Sequence, residues 1–248
     1  MTTRVAVIGA SGRMGTQACR AVEAADDLEL VARVGRGDPL DDVVAAGAQV
    51  AVELSVPDAA RQNVAFCVDH GVHAVVGTTG WDDAALDDLR RRLDDHPGVG
   101  VLVAPNFAVG AVLAMRFAAA AARWFESVEV VELHHPDKVD APSGTARRTA
   151  EQVARARRDA GLGPVPDATS SGLEGARGAD VEGVRVHSVR LRGLVAHQEV
   201  LLGGPGEQLT IRHDSFDRAS FMPGVLLGVR QVASRPGLTV GLEHYLDL

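Results

Sequence analysis

The chain contains almost no lysine. Of the 25 residues that are lysine or arginine, Lys138 alone is a lysine. An arginine keeps its proton throughout the working pH range, whereas a lysine ammonium can be tuned to release one, so the two are not interchangeable where a proton must move. We therefore predict that Lys138 is retained for chemistry.

Aromatic residues and cysteines are also scarce. With 4% aromatic residues and a net charge of -8, the chain lacks both the basic surface and the stacking side chains that nucleic acid requires. Cys19 and Cys67 lie far apart, so they form neither a CxxC redox pair nor a zinc pattern. We expect two buried, reduced thiols.

Long apolar runs are missing as well. The longest, Phe107–Phe125, is interrupted by Arg116 and is rich in alanine, which suits a core helix better than a membrane span. The apolar strand Val5–Ile8 begins so close to Met1 that we predict no signal peptide. These patterns predict a cytoplasmic protein without membrane or nucleic-acid partners.

Short β-branched runs alternate with helical segments over the first hundred residues, which is the rhythm of a parallel sheet. Pro57 after Ser55 and the Asp82-Asp83 pair indicate two helix starts. The pattern predicts an α/β, Rossmann-like nucleotide domain with strands at Arg4–Ile8, Glu29–Val34, Val50–Leu54, His73–Val76 and Val99–Val103.

The pattern changes after Asn106. It predicts an α+β domain with a mixed or mostly antiparallel sheet, made of strand Val128–Leu133, a helix from Gly144 to about Arg158, a long loop Gly161–Asp180, and strands Val184–Leu191, Val195–Leu202 and Gln208–His213. We predict a dinucleotide-binding domain at residues 1–105, to which residues 216–248 return, and a substrate-binding domain at residues 106–215.

A glycine-rich loop follows the first strand. Its GxxGxxG spacing at the entry of a helix lets the backbone approach a pyrophosphate, although a turn that needs glycine only for packing would look similar. Two more loops fall at the carboxyl ends of predicted strands, where such sheets bind ligands. Each alone could equally be a turn, and the prediction depends on all three loops sharing one edge of the sheet. The predicted cofactor contacts are Gly9, Ala10, Ser11, Gly12, Arg13 and Met14 in the first loop, Gly77, Thr78 and Thr79 in the second, and Ala104, Pro105, Asn106 and Phe107 in the third.

The segment around Lys138 combines proton donors with an anion pocket. His134 and Lys138 are the candidate proton donors that a hydride transfer requires. Ser143, Gly144 and Thr145 precede a helix, so their N–H groups and hydroxyls suit a carboxylate, and helix capping by Ser143 is compatible with that role. The adjacent histidines lack a usual metal-ligand spacing, and we expect no metal here.

These motifs together resemble the dihydrodipicolinate reductases, also called hydroxy-tetrahydrodipicolinate reductases, of lysine and diaminopimelate synthesis. The resemblance spans nearly the whole chain. It is carried by Val7–Gly15, Gly77–Gly80, Ala104–Phe107 and, above all, Glu132–Ala146.

The resemblance implies reduction of a cyclic dicarboxylate, 4-hydroxy-tetrahydrodipicolinate, by NADPH or NADH, with hydride going to one carbon of a conjugated imine and a proton to its neighbour. His134 and Lys138 would be the acid–base pair. His135, Gly144 and Thr145 would hold the substrate carboxylate. The family fold also implies a homotetramer through the second domain's sheet.

The apolar residues Leu194, Val200 and Leu202 offer material for the second buried contact that a homotetramer needs. We therefore expect them to contribute to the contact between subunits.

One position departs from the family pattern. The acid that commonly ends the second strand and binds a ribose hydroxyl is replaced by Gly35, which Arg33 and Arg36 flank. A guanidinium there can bind a 2′-phosphate through charge-assisted hydrogen bonds. We therefore predict that NADPH is preferred over NADH, with Arg36 as a cofactor residue.

Two other functions can be compared with the residues. A short-chain dehydrogenase needs a tyrosine four residues before a lysine, but Tyr245, the sole tyrosine, lies far beyond Lys138, which excludes that class. A non-enzymatic dinucleotide-sensing regulator would keep the glycine loop and needs no proton donor. It stays as the alternative, although no basic recognition helix is visible.

Overall fold

The computed structural model describes residues 2–246, which form alternating strands and helices followed by a second group of strands. The strands are β1 Thr3–Ile8, β2 Leu28–Val34, β3 Val50–Glu53, β4 His73–Val76, β5 Gly100–Val103, β6 Ser127–His134, β7 Ala179–Val181, β8 Val184–Arg190, β9 Ala196–Gly204, β10 Glu207–Ser215 and β11 Gly237–Val240. The helices are α1 Arg13–Glu23, α2 Asp41–Ala45, α3 Pro57–Asp69, α4 Asp83–Asp94, α5 Val109–Ala122, α6 Gly144–Asp159 and α7 Met222–Gln231.

The chain divides into two compact units. The first comprises the chain up to Val109 together with the chain from Arg218 onward, and the second is Gly110–Asp217. The separate roles predicted for two domains, nucleotide binding and substrate binding, stay predictions.

The first unit contains a six-stranded parallel sheet with the order β11-β5-β4-β3-β1-β2. Strands β3 and β5 are buried along their whole length, which explains their near-continuous apolar sequence. From β1 the chain passes first to β2 on one side and then to β3 on the other. The carboxyl ends of β1 and β3 therefore flank a topological switch point, where open α/β sheets bind ligands.

Both predicted helix starts are confirmed in this unit. Pro57 is the first residue of α3, where its missing N–H costs nothing. Asp82 caps α4 by accepting a hydrogen bond from the Ala85 N–H at 2.8 Å.

The chain from Arg218 onward adds a strand to the sheet of the first unit. β11 pairs in parallel with β5, and Leu238 and Val240 pack against the core that α4 covers. This strand and the five-residue helix α2 were not predicted from the sequence, because both are too short to establish a period.

The second unit contains a mixed sheet with the order β10-β9-β6-β8-β7. β6 pairs in parallel with β8 and antiparallel with β9. Val128 and Val130 of β6 are buried in one core with Ala146, Ala150 and Val153 of α6. The predicted α/β first sheet and mixed second sheet are thus both present, and the long loop predicted to Asp180 ends in the unpredicted short strand β7.

Candidate functional site

The glycine loop between β1 and α1 is closely packed, backbone against backbone. Gly9 has φ 82°, and a Cβ there would lie 2.6 Å from the Leu54 carbonyl oxygen. A Cβ on Gly15 would lie 2.1 Å from the Gly9 carbonyl oxygen. Only glycine fits at these two positions. Gly12 caps α1 with no acidic residue in the first turn, so the positive end of the helix faces the loop.

A cavity of about 330 Å³ opens beside this loop, within the first unit. Ser11 and Gly12 line it together with Gly35, Arg36 and Asp38 from the turn after β2. The space and its backbone N–H groups fit an adenine nucleotide half with its pyrophosphate.

The two arginines beside Gly35 have different environments. Arg33 is paired with Glu23 of α1, so its guanidinium is already engaged, whereas Arg36 is exposed and lines the cavity. Asp38 also lines the cavity and accepts a hydrogen bond from the Gly35 N–H at 2.8 Å. The turn thus places the Asp38 carboxylate near Gly35, the position where the family pattern has an acid. The spacing along the sequence did not indicate this.

A buried glutamate joins the ends of β3 and β4. Glu53 is 1% exposed, and its carboxylate accepts hydrogen bonds from the Ser55 N–H at 3.0 Å, the Asn63 amide at 3.3 Å and the Thr78 hydroxyl at 2.5 Å. The Ser55 hydroxyl donates to it as well. All these donors are neutral. The hydrogen bond to Glu53 ties Thr78, one of the predicted cofactor residues, to the end of the neighbouring strand β3.

The second and third predicted loops lie side by side. A Cβ on Gly77 would lie 2.8 Å from the Phe107 ring, so the two loops pack directly on each other. Ala104 and Phe107 are buried, at 2% and 3% exposure, which leaves Thr79 and Pro105 as exposed members. The structure therefore brings these loops together at one sheet edge, and cofactor contacts of the buried Ala104 and Phe107 stay predictions.

The reaction loop joins β6 to α6. Ser143 caps α6 by accepting from the Ala146 N–H at 3.1 Å and is 3% exposed. Gly144 is exposed, and a Cβ there would have no atom within 4 Å, so there is open space beside the first residue of the helix. Ser143 thus supports the pocket that Gly144 and Thr145 can offer to an anion, and direct contact of Ser143 with substrate stays a prediction.

Lys138 is ion-paired within the loop. Its Nζ donates to Asp140 Oδ1 at 2.7 Å, and the Lys138 N–H donates to the His135 carbonyl at 3.3 Å. The hydrogen bond from Lys138 lowers the pKa of Asp140 against the opposing effect of burial, and a backbone hydrogen bond from Gly144 adds to the lowering. A carboxylate of the chain thus lies between the ammonium and the helix N-terminus.

A second buried glutamate lies at the base of the loop. Glu132 is fully buried, and Arg190 of β8 holds both its oxygens at 2.8 Å. The Ser143 N–H donates to Oε1 at 3.1 Å, and His134 Nδ1 lies 2.5 Å from Oε2. Burial raises the pKa of Glu132, but the hydrogen bonds from Arg190, Ser188 and His134 outweigh it and hold the pKa at about 2.

The environment of His134 favours its neutral form. Burial lowers the pKa of His134, and the nearby Lys138 and Arg190 charges lower it further, while Glu132 opposes them. Only 13% of the His134 side chain is exposed. The imidazole is therefore a neutral, partly enclosed neighbour of the Lys138 ammonium.

Comparison with known proteins identifies the family. The family models described as "Dihydrodipicolinate reductase, N-terminus" and "Dihydrodipicolinate reductase, C-terminus" match residues 3–107 and 110–246. The chain belongs to the dihydrodipicolinate reductase family. It is 67% identical over 245 residues to the 4-hydroxy-tetrahydrodipicolinate reductase of Streptomyces griseus, covering 99% of this chain and 98% of that one.

Other members of the family agree. The 4-hydroxy-tetrahydrodipicolinate reductase of Nocardia farcinica is 65% identical over 248 residues, the full length of both chains. The structure of the dipicolinate-bound dihydrodipicolinate reductase from Paenisporosarcina sp. TG-14 is similar with a TM-score of 0.89 and 38% identity, covering 99% of this chain and 100% of that one.

Within this dihydrodipicolinate reductase fold, the sequence indicated the glycine loop and the reaction loop but not the side chains that hold the loops in place. Glu53, Asp38, Glu132 and Arg190 were not singled out. For Glu132 a signal existed, because the period of β6 places it on the face of Val128 and Val130, where an acid needs a partner. Among residues 2–246, no group of three His, Cys, Asp or Glu side chains is arranged to hold a metal, and no helix is long and apolar enough to cross a membrane.

Proposed function

We propose that this protein is an NAD(P)H-dependent 4-hydroxy-tetrahydrodipicolinate reductase that forms tetrahydrodipicolinate for diaminopimelate and lysine synthesis in the cytoplasm. The observation that carries the proposal is the 67% identity, over nearly the full length, to an enzyme of that name. The chain also has the glycine loop of a dinucleotide site and a reaction loop with His134 and Lys138.

The cofactor would be held by the first unit. Gly9 and Gly15 leave the cradle that a pyrophosphate needs, and Arg36 and Asp38 line the cavity where the adenosine ribose would lie. When bound, the nicotinamide supplies hydride. Thr78, held by Glu53, would position the ring together with the third loop.

The second unit would bind the substrate and supply the proton. Gly144 and Thr145, at the positive end of α6, with His135, would hold a substrate carboxylate. Because His134 favours the neutral form, the proton would come from the ammonium group of Lys138. Lys138 and His134 together would deliver it to the carbon next to the one that receives hydride.

A homotetramer through the second sheet is part of the proposal, but two of the three residues expected at its contact, Val200 and Leu202, are wrong. Val200 and Leu202 are fully buried in the core under α6, so they cannot contact another subunit. The opposite face of the sheet presents half-buried Val131 and Leu201. Light scattering at micromolar concentration should give the mass of four chains, and a monomer would refute this part.

The deciding experiment follows NADPH oxidation with freshly generated 4-hydroxy-tetrahydrodipicolinate. The expected result is turnover that depends on both compounds, with tetrahydrodipicolinate and oxidised cofactor formed in equal amounts. Cofactor binding without oxidation would reject the enzyme and favour the dinucleotide-sensing regulator.

A further inference from the structure

Glu132 is a buried carboxylate whose acceptor positions are all directed at named donors. The Arg190 guanidinium donates to both oxygens, the Ser143 N–H donates to Oε1, and His134 Nδ1 lies within hydrogen-bond distance of Oε2. Burying a glutamate and an arginine together gives little net stability compared with apolar residues of the same size. The cluster therefore invites an explanation other than stability.

The carboxylate determines which nitrogen of His134 carries the proton. An ionised glutamate can only accept hydrogen bonds, so Nδ1 of His134 must donate to it. In the neutral ring, Nε2 is then the unprotonated nitrogen, able to accept and pass on a proton. Since the Glu132 pKa is about 2, the carboxylate does not itself take the proton at working pH.

Arg190 ties this arrangement to the rest of the loop. Besides its two bonds to Glu132, its guanidinium donates to the Asp140 carbonyl at 2.7 Å, and the Asp140 side chain accepts from Lys138. One arginine on β8 thus connects the partners of His134 and Lys138.

We propose that Glu132, held by Arg190, is a positioning residue that locks His134 in the tautomer with Nδ1 protonated and Nε2 free to exchange a proton. This inference rests on the proposed function for the role of the His134 and Lys138 pair. It assigns to Glu132 no contact with substrate or cofactor.

Glu129 provides a matched control three residues earlier on β6. Its Oε2 lies 2.7 Å from His187 Nε2, and Arg177 pairs with its other oxygen, so it repeats the carboxylate, imidazole and guanidinium set away from the reaction loop. Since the Glu129 side chain is 27% exposed and that of Glu132 is fully buried, Glu129→Gln should reproduce part of the structural cost of losing such a carboxylate without affecting proton transfer.

The first test uses the unmodified protein. In ¹⁵N-histidine NMR spectra, with His134 assigned by the loss of its signals in His134→Gln, the neutral ring should show Nδ1 protonated and Nε2 unprotonated. The opposite tautomer, or a mixture of both, would overturn the proposal whether or not the protein reduces the substrate.

The second test is kinetic. Glu132→Gln should lower kcat by roughly tenfold or more, with the KM for NADPH and for substrate within about threefold. Since Glu132 raises the His134 pKa, the limb of the pH profile that reports His134 should move to lower pH. An unchanged profile, or a kcat loss no larger than that of Glu129→Gln, would reject the positioning role.

Control measurements separate this inference from the function on which it rests. An unmodified protein that does not oxidise NADPH with the substrate contradicts the proposed function, and a fully active His134→Gln variant contradicts only the role of His134. If Glu132→Gln does not fold, the tautomer in the unmodified protein decides the inference.

Discussion

Each unit of the protein has one buried glutamate at the carboxyl end of a strand, and the two are held in different ways. Glu53 accepts only from hydroxyl, amide and backbone groups, whereas Glu132 accepts from a guanidinium and an imidazole. Neutral donors fix the shape of a loop without bringing a second charge to it. Ionic partners make the second loop sensitive to charge, tautomer and pH.

The sharpest test of the reaction loop keeps the positive charge at position 138 and removes the ability to release a proton. Lys138→Arg should retain the fold and cofactor binding but lose about a hundred- to ten-thousand-fold in kcat, because arginine does not release its proton. Steady-state turnover and cofactor titration measure the two effects. Arg147→Lys, the converse exchange at an exposed ion pair on α6, should change neither. Near-normal turnover of Lys138→Arg would remove the lysine from the mechanism.

Acid should weaken the partnership of Glu132 with Arg190 and His134. The folded-state pKa of Glu132, about 2, lies below the ordinary value of 4.5. The unfolded chain therefore binds the proton first, so this stabilisation is complete above pH 4.5 and is lost as the pH falls through about 2. The difference amounts to roughly 3 kcal/mol of unfolding free energy.

Denaturant unfolding at several pH values measures this stabilisation. The unfolding free energy of Glu132→Gln should fall less steeply between pH 4.5 and pH 2 than that of the unmodified protein. Parallel curves for the two proteins would contradict the depressed pKa.

NADPH would bring its 2′-phosphate to Arg36, so cofactor choice tests an ionic contact in the first unit. Arg36→Ala should weaken NADPH binding by about one to two decades and leave NADH nearly unchanged, because a charge-assisted hydrogen bond contributes roughly 1.5–3 kcal/mol. The loss should shrink at high salt, since Arg36 is exposed. Titration with both nucleotides measures it.

Arg33→Ala, which removes the arginine paired with Glu23, is the control for Arg36→Ala. An equal loss for NADH and NADPH in Arg36→Ala would show that Arg36 does not bind the 2′-phosphate.

The smallest effect is expected at Glu53. Glu53→Gln keeps the size of the side chain and leaves no buried cation unpaired, so the unfolding free energy should fall by only about 1 kcal/mol. Turnover should keep its pH profile. Chemical denaturation and a kinetic pH series check both expectations, and a displaced profile would show that the two glutamates are more alike than their partners indicate.

What the sequence predicted follows local rules. The glycine loop, the helix starts at Pro57 and Asp82, and the alternation of the second sheet each depend on neighbours within a few residues. The partnership of Glu132 with Arg190 joins positions 58 apart, through the parallel pairing of β6 and β8. No local pattern specifies such a register.

The turn after β2 shows the same limit at short range. Counting from Gly15 led to Gly35 as the ribose position, yet the backbone brings Asp38 back to the Gly35 N–H. A three-residue reversal is enough to move a carboxylate into the cavity.

The single lysine also gives the protein a practical property. An amine-selective reagent has one side-chain target in the whole chain, and that target is 21% exposed and paired with Asp140. After the α-amino group is blocked, the mass added per chain measures the modification of Lys138 directly. A ligand that covers the ammonium would slow that labelling, so the protein carries its own site-specific reporter of occupancy without an introduced residue.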